Sequence, residues 1–282
     1  EIDETKQLIL LQMRLPRLVL GILIGALLAT SGVVVQSVFL NPLADPYIIG
    51  IASAATFGAV IAYLLGLSDV FYGIFAFLSA SALSIVIFKL AAHTRSISTL
   101  LIVGIAVSSF LGAFTSFAVY LIGEDSFRIT AWMMGYLGGA NWQKIALLLP
   151  PLLFCMAYFY AKRHELNIIL NGDEEAKSLG LNVERSKKSL LIVSSLIIGF
   201  SVAFTGMIGF VGLIIPHTLR MALRTSSNAV LIPASALTGG VFLVFCDVIA
   251  KNALSPVEIP IGVVTSFFGA PFFLYLAFRK HA

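Results

Sequence analysis

Apolar residues dominate this chain in long runs, and polar ones gather between the runs. The runs lie near residues 18–40, 48–67, 70–90, 97–122, 142–160, 190–209, 211–223, 230–249 and 259–278. A bilayer core is crossed by about 20 apolar residues of helix. The pattern therefore predicts nine spans, of which the seventh, at 13 residues, is short for a full crossing. An odd number of spans puts the two termini on opposite sides. Composition fits this picture, with 59% hydrophobic residues, 11% charged residues and a mean hydropathy of +1.00. Soluble domains carry roughly 25% charged residues. The predicted fold class is an all-α integral membrane protein, a polytopic helical bundle forming a single domain over residues 1–282.

The exception to the pattern is a polar island at residues 161–189, which holds eleven of the 32 charged residues. Within it, Asn171-Gly172-Asp173 reads as a turn whose short side chain caps a helix. Glu174, Glu175, Ala176, Lys177, Ser178 and Leu179 mostly favour helix, with the acids at the positive end of its dipole. Gly180 suits a C-terminal stop. A helix of about two turns is unstable alone in water, so it must pack on its own membrane domain or be held by a partner.

Basic residues set the orientation, because cytoplasmic loops are enriched in them. With the C-terminus inside, the inner loops hold Lys89, Arg95, Lys162, Arg163, Lys177, Arg185, Lys187, Lys188, Arg220, Arg224, Arg279 and Lys280. The outer side holds Lys6, Arg14, Arg17, Arg128, Lys144 and Lys251. Twelve against six places the polar island in the cytoplasm and the N-terminus outside. An external start with no signal before it leads to the expectation of a further span upstream of Glu1. The net charge of +4 belongs to these loops and does not suggest nucleic acid.

Candidate chemistry inside the runs is sparse. Asp247 and Lys251 are four apart and are expected to form a structural ion pair at the outer boundary. Pro216 is expected to break the helix in the segment GFVGLIIPHTLR, with His217 structural beside it. Gly21, Gly25 and Ala29, at four-residue spacing, suit close helix packing. The glycine-rich run 131–139 is too short to cross and reads either as a short external or half-inserted helix or as ordinary interfacial anchoring by Trp132 and Tyr136. Cys155 and Cys246 sit in apolar runs and are expected to remain unpaired thiols. No phosphate-binding loop, zinc pattern or nucleophile elbow occurs. The chain is thus expected to be no enzyme and to carry no cofactor. A transporter subunit powered from elsewhere fits, and an ion-gradient-driven secondary transporter is the alternative.

Four stretches in order carry a resemblance. Arg14-Leu-Pro-Arg17 leads into GALLATSGVVVQSVFLNPLADPYIIGIASAA. WMMGYLGG and NGDEEAKSLGLNV follow, and then GFVGLIIPHTLR with EIPIGVVTSFFGAPFF. From about residue 14 to the C-terminus these resemble the FecCD-type permease family of ABC importers for ferric siderophores, haem and vitamin B12. The resemblance implies the ten-helix type II importer permease fold, here with the family's first helix absent. It implies a second permease subunit, identical or a paralogue, with two cytoplasmic ATPases that carry ATP and Mg. It also implies an external substrate-binding protein and a place in the cytoplasmic membrane with its lipid.

It further implies that Gly172 to Leu181 is a coupling helix, docked into an ATPase through Glu174, Glu175, Lys177 and Leu179. Gly172, Asp173 and Gly180 belong to the same segment. Arg14 and Arg17 match basic positions that grip acids of the binding protein, and Lys251 matches a third. The cargo is left open among ferric siderophore, haem and cobalamin, with an iron chelate favoured as the commonest of the family.

Overall fold

The computed structural model describes residues 4–47, 50–94 and 97–279. Its helices are α1 (Glu4–Ile9), α2 (Leu15–Val38), α3 (Ile51–Leu64), α4 (Asp69–Thr94), α5 (Ile97–Ile122), α6 (Phe127–Met133) and α7 (Trp142–Ala161). They continue as α8 (Arg163–Ile169), α9 (Asp173–Ser178), α10 (Val183–Thr205), α11 (Val211–Leu223), α12 (Asn228–Asn252) and α13 (Ile261–Arg279). A π-helical turn over Leu10–Arg14 joins α1 to α2, so Glu4–Val38 runs as one 35-residue helix. Among the described residues there is no strand.

Helix α2 is the hub. From Leu20 to Val38 almost every position is buried, as expected of a helix that is apolar all round. It packs against α12, α10, α11 and α7, while α3 and α4 pack on α10 and carry α5 against them. Small residues set the spacing. A Cβ placed on Gly25 would lie 2.2 Å from the Gly239 carbonyl oxygen, and one on Gly32 would lie 1.7 Å from that of Gly212. Backbone therefore meets backbone where α2 crosses α12 and α11, which is how helices associate in lipid.

All nine expected runs contain helices, although among the described residues only six helices are long and apolar enough to cross a membrane. Helix α3 was expected over 48–67 but covers 14 residues, about 21 Å of rise against a core of about 30 Å. Glycines stop it on both sides: Gly50 at φ 85° before it and Gly66 at φ 68° after it. Helix α10 starts seven residues before the expected 190, because Asn182 caps it by accepting a hydrogen bond from the Arg185 N–H (3.0 Å). It ends at Thr205, where Gly206 takes φ 68° and a Cβ would strike the Trp132 carbonyl at 2.0 Å.

The expected break at Pro216 is absent, and α11 runs through it. The chain breaks instead at residues 206–210, and Phe210 takes a left-handed conformation before α11. The run 131–139 is also less helical than expected. α6 ends at Met133, and the following backbone is pinned by Tyr136 N–H to the Thr205 carbonyl (2.8 Å) and by Ile261 N–H to the Gly135 carbonyl (3.1 Å). Of the basic residues used for orientation, Arg95 and Lys280 lie outside the described residues.

Contacts sort the polar groups to two ends. The starts of α2 and α7 meet the end of α12 at one end, where Trp142 Nε1 donates to the Leu11 carbonyl (3.0 Å). The end of α2 meets α8, α11 and the start of α12 at the other.

Candidate functional site

At that second end, the polar island is not a loop but α8, α9 and the first turns of α10. Helix α9 is six residues long, and its stability comes from its surroundings. Ala176 is fully buried and anchors it. Its start is capped by Gly172 at φ 106°, with no side-chain cap, so the expected Asn171 or Asp173 cap does not form. Asp173 turns back onto α10 instead, 2.5 Å from Lys187 Nζ, whose side chain is 6% exposed. The end is a Schellman motif. Gly180, at φ 83°, donates its N–H to the Lys177 carbonyl (2.9 Å), and Leu181 donates to that of Ala176 (3.1 Å).

With Ala176 and Asp173 facing inward, Glu174, Glu175, Lys177 and Leu179 are exposed. Glu174 and Lys177 pair at 2.8 Å on the surface, and this raises the Lys177 pKa through the hydrogen bond and the carboxylate charge. The helix presents two acids, one base and one leucine on a mount fixed at both ends.

That mount is tied to the membrane helices by residues that carried no signal in the sequence. Glu165 of α8 accepts from Lys162 Nζ (2.5 Å) and from Ser186 Oγ of α10 (2.5 Å). Burial works to raise its pKa, but these hydrogen bonds and the Lys162 charge outweigh it and hold the carboxyl below its ordinary range. The contact therefore stabilises at neutral pH and is lost as pH falls through that lowered value. Asn167 Oδ1 accepts from the Asn228 N–H (2.8 Å) and Nδ2 (2.9 Å), and Ser37 Oγ donates to Asn228 Oδ1 (3.2 Å). One polar chain thus joins α8 to the start of α12 and the end of α2.

The Asp173–Lys187 link is testable. Replacing Lys187 with methionine is expected to speed amide hydrogen exchange across 173–181 by about tenfold, leaving α12 unchanged. Exposed pairs contribute about 0–1 kcal/mol and buried ones several; this half-buried pair falls between, and local opening reports it directly.

A second polar joint explains α11. Proline at 216 has no N–H to give the Gly212 carbonyl four residues before it. Gln36 of α2 supplies the missing donor, with Nε2 3.4 Å from the Gly212 oxygen and 3.2 Å from that of Leu213. Gly32, one turn earlier on the same face of α2, lets the two backbones approach. His217 packs edge-on to Phe272 of α13.

At the first end, the expected Asp247–Lys251 pair is replaced by another. Asp247 accepts three hydrogen bonds from Arg17, 3.1 and 2.9 Å from Nε and 2.8 Å from Nη2. Arg17 Nη1 also reaches both oxygens of Glu258, at 3.1 and 2.9 Å. The planar guanidinium suits two carboxylates at once, which a lysine ammonium cannot match. The three positions expected to grip a binding protein therefore differ. Arg14 is exposed, Lys251 is half-buried, and Arg17 is buried with its charge neutralised inside the chain. The triad joins the start of α2, the end of α12 and the turn leading into α13.

Between α13 and the break at 206–210 that precedes α11 an apolar cavity of about 700 Å³ opens, lined by Met134, Met207, Phe210, Phe267 and Pro271 among others. Both thiols, Cys155 and Cys246, are buried and free. Among the described residues no cluster of His, Cys, Asp and Glu is arranged to hold a metal.

A hub helix buried in an apolar bundle, broken helices beside an apolar cavity and a rigidly mounted surface helix define a permease of the ABC importer type. The chain belongs to the FecCD transport family, whose model it matches over residues 1–279. It is 43% identical over 280 residues to the cobalamin import system permease protein BtuC of Halobacterium salinarum, covering 98% of this chain and 74% of that one. The hemin transport system permease protein HmuU of Yersinia pestis is 37% identical over 284 residues, with 96% and 83% covered. A solved metal-chelate type ABC transporter in an inward-facing conformation superposes with a TM-score of 0.91 at 33% identity, covering 99% of this chain and 90% of that one.

Proposed function

We propose that this chain is one of a pair of permease subunits that carry a metal chelate inward across the cytoplasmic membrane, with cobalamin as the first candidate cargo. ATP, with Mg, is bound and hydrolysed by two partner ATPases, and an external binding protein delivers the cargo. The observation that carries the reading is α9, a helix too short to stand alone yet fixed by glycine caps and the Asp173–Lys187 pair. Its exposed Glu174, Glu175, Lys177 and Leu179 are the proposed ATPase contacts. Gly172 and Gly180 set its ends, and Asp173 holds it to α10. The island then lies in the cytoplasm with the C-terminus, as the basic residues suggest. Motion of the ATPases passes from α8 through Asn167, Asn228 and Ser37 to α12 and α2.

Arg14 and Lys251 are the proposed contacts for the binding protein. Arg17 supports them by fixing the turn that holds Glu258. Charges at or near the surface set encounter and orientation more than affinity.

Cobalamin and haem both occur in the names of relatives. A ferric siderophore, favoured from the family resemblance, stands beside them as a third candidate. The apolar cavity shapes a path more than it reads a ligand, which leaves recognition to the binding protein.

The test is ATP hydrolysis by the purified permease with its ATPase and binding protein, against cobalamin, haem and a ferric siderophore panel. Stimulation by cobalamin is expected, and Glu175→Lys is expected to lower it at least tenfold while basal hydrolysis continues. Full stimulation in that variant would remove α9 from the coupling role.

A further inference from the structure

A second cavity, of about 380 Å³, lies where α9 approaches the turn after α2. Arg220, Gln36, Asn41, Asn171, Gly172 and Ser226 contribute to its wall. Its volume falls within the range of small-molecule sites. Its wall carries donors and no acid.

The cation in it lacks a counter-charge. Arg220 is half-buried near the end of α11. Among the described residues its one hydrogen bond is Nη1 to Gln36 Oε1, and no carboxylate lies within ion-pair distance. Asp173, which follows the wall residue Gly172 in the chain, is paired with Lys187. Gln36 cannot neutralise the charge, and its amide is already committed on the other side to the Gly212 and Leu213 carbonyls. Asn171 and Ser226 are exposed and make no side-chain hydrogen bond among the described residues. Buried and half-buried charges in proteins are normally paired, and a guanidinium with a free edge beside amide and hydroxyl donors matches a tetrahedral oxyanion.

We propose that this cavity binds a phosphate-type oxyanion, either free phosphate or the headgroup of an anionic lipid, with Arg220 as its main ligand and Asn171 and Ser226 as supporting donors. The site adjoins the segment proposed to meet the ATPase, with Gly172 in its wall, but its anion binding does not depend on that reading. A ligand there bridges the end of α11 and the segment before α9, and so stiffens the junction between them.

The experiment is thermal unfolding of the purified full chain in phosphatidylcholine nanodiscs. Inorganic phosphate is titrated against potassium chloride at matched ionic strength. A saturable rise in Tm is expected, about 3–6 °C at ten times Kd. Arg220→Gln is expected to abolish it. Because that variant also loses the Gln36 contact, Asn171→Ala with Ser226→Ala serves as a second probe. It is expected to keep the unliganded Tm and to weaken phosphate about tenfold.

A parallel series uses nanodiscs containing phosphatidic acid. Stabilisation seen only there, and lost in the same variants, identifies the headgroup as the source. No stabilisation in either series, or equal stabilisation in the variants, overturns the site. Loss of ATPase binding in Arg220→Gln without any anion effect also overturns it, by assigning Arg220 to the partner interface.

Discussion

Replacing Arg17 with methionine is expected to lower the unfolding free energy by about 3–5 kcal/mol, the cost of leaving a buried charge unpaired. The geometry makes the loss large. Asp247 and Glu258 share one guanidinium through five contacts of 2.8–3.1 Å; Arg17 and Asp247 are buried, while Glu258 caps the pair from the exposed side. Without Arg17, two carboxylates face each other at the edge of the bundle. Arg17→Lys is expected to recover only part of the loss, because an ammonium cannot reach both acids in a planar fork. Arg17→Met with Asp247→Leu is expected to recover more, since it removes the orphaned charge with its partner. Thermal unfolding in detergent with a folded-state probe ranks the variants. Equal stability of Arg17→Met and the parent would show that the triad is not a structural joint.

The second large effect is expected at Gly32. A single added methyl would sit 1.7 Å from the Gly212 carbonyl, which is backbone and cannot rotate away. Overpacking usually costs about 1–3 kcal/mol, and more where nothing flexible can yield. Gly32→Ala is therefore expected to cost at least about 3 kcal/mol, because α2 must move off α11. That movement also withdraws Gln36 from the carbonyls that Pro216 leaves open. Gly112, where an added Cβ meets nothing within 4 Å, is the control, and Gly112→Ala is expected to be neutral or slightly stabilising. Measuring both in one unfolding series separates close packing from helix propensity.

What the sequence shows and hides follows from the range of each interaction. The helical runs and the short helix in the island are local matters of apolar length, acid placement and glycine at 172 and 180, so they are legible without a structure. Asp247 illustrates the limit. Lys251 stands four residues away and is visible as a partner, whereas Arg17 stands 230 residues away and binds it. Pro216 illustrates it again: proline breaks helices by rule, but Gln36, from another helix, replaces the lost donor and the helix continues. The start of α10 was hidden because residues 183–189 are charged on their outer face while burying Val183, Ser186 and Lys187. Asn167 and Asn228 gave no signal, since an asparagine pair 61 residues apart has no pattern of its own.

The central claim is that α9 transmits ATP-driven motion to an importer permease. It is tested most directly by uptake of labelled cobalamin into proteoliposomes containing the chain, its ATPase and its binding protein. The account predicts uptake that requires ATP, survives a protonophore and is abolished by Glu175→Lys with the assembled complex still intact. Uptake that proceeds without the ATPase and collapses with the protonophore would contradict it.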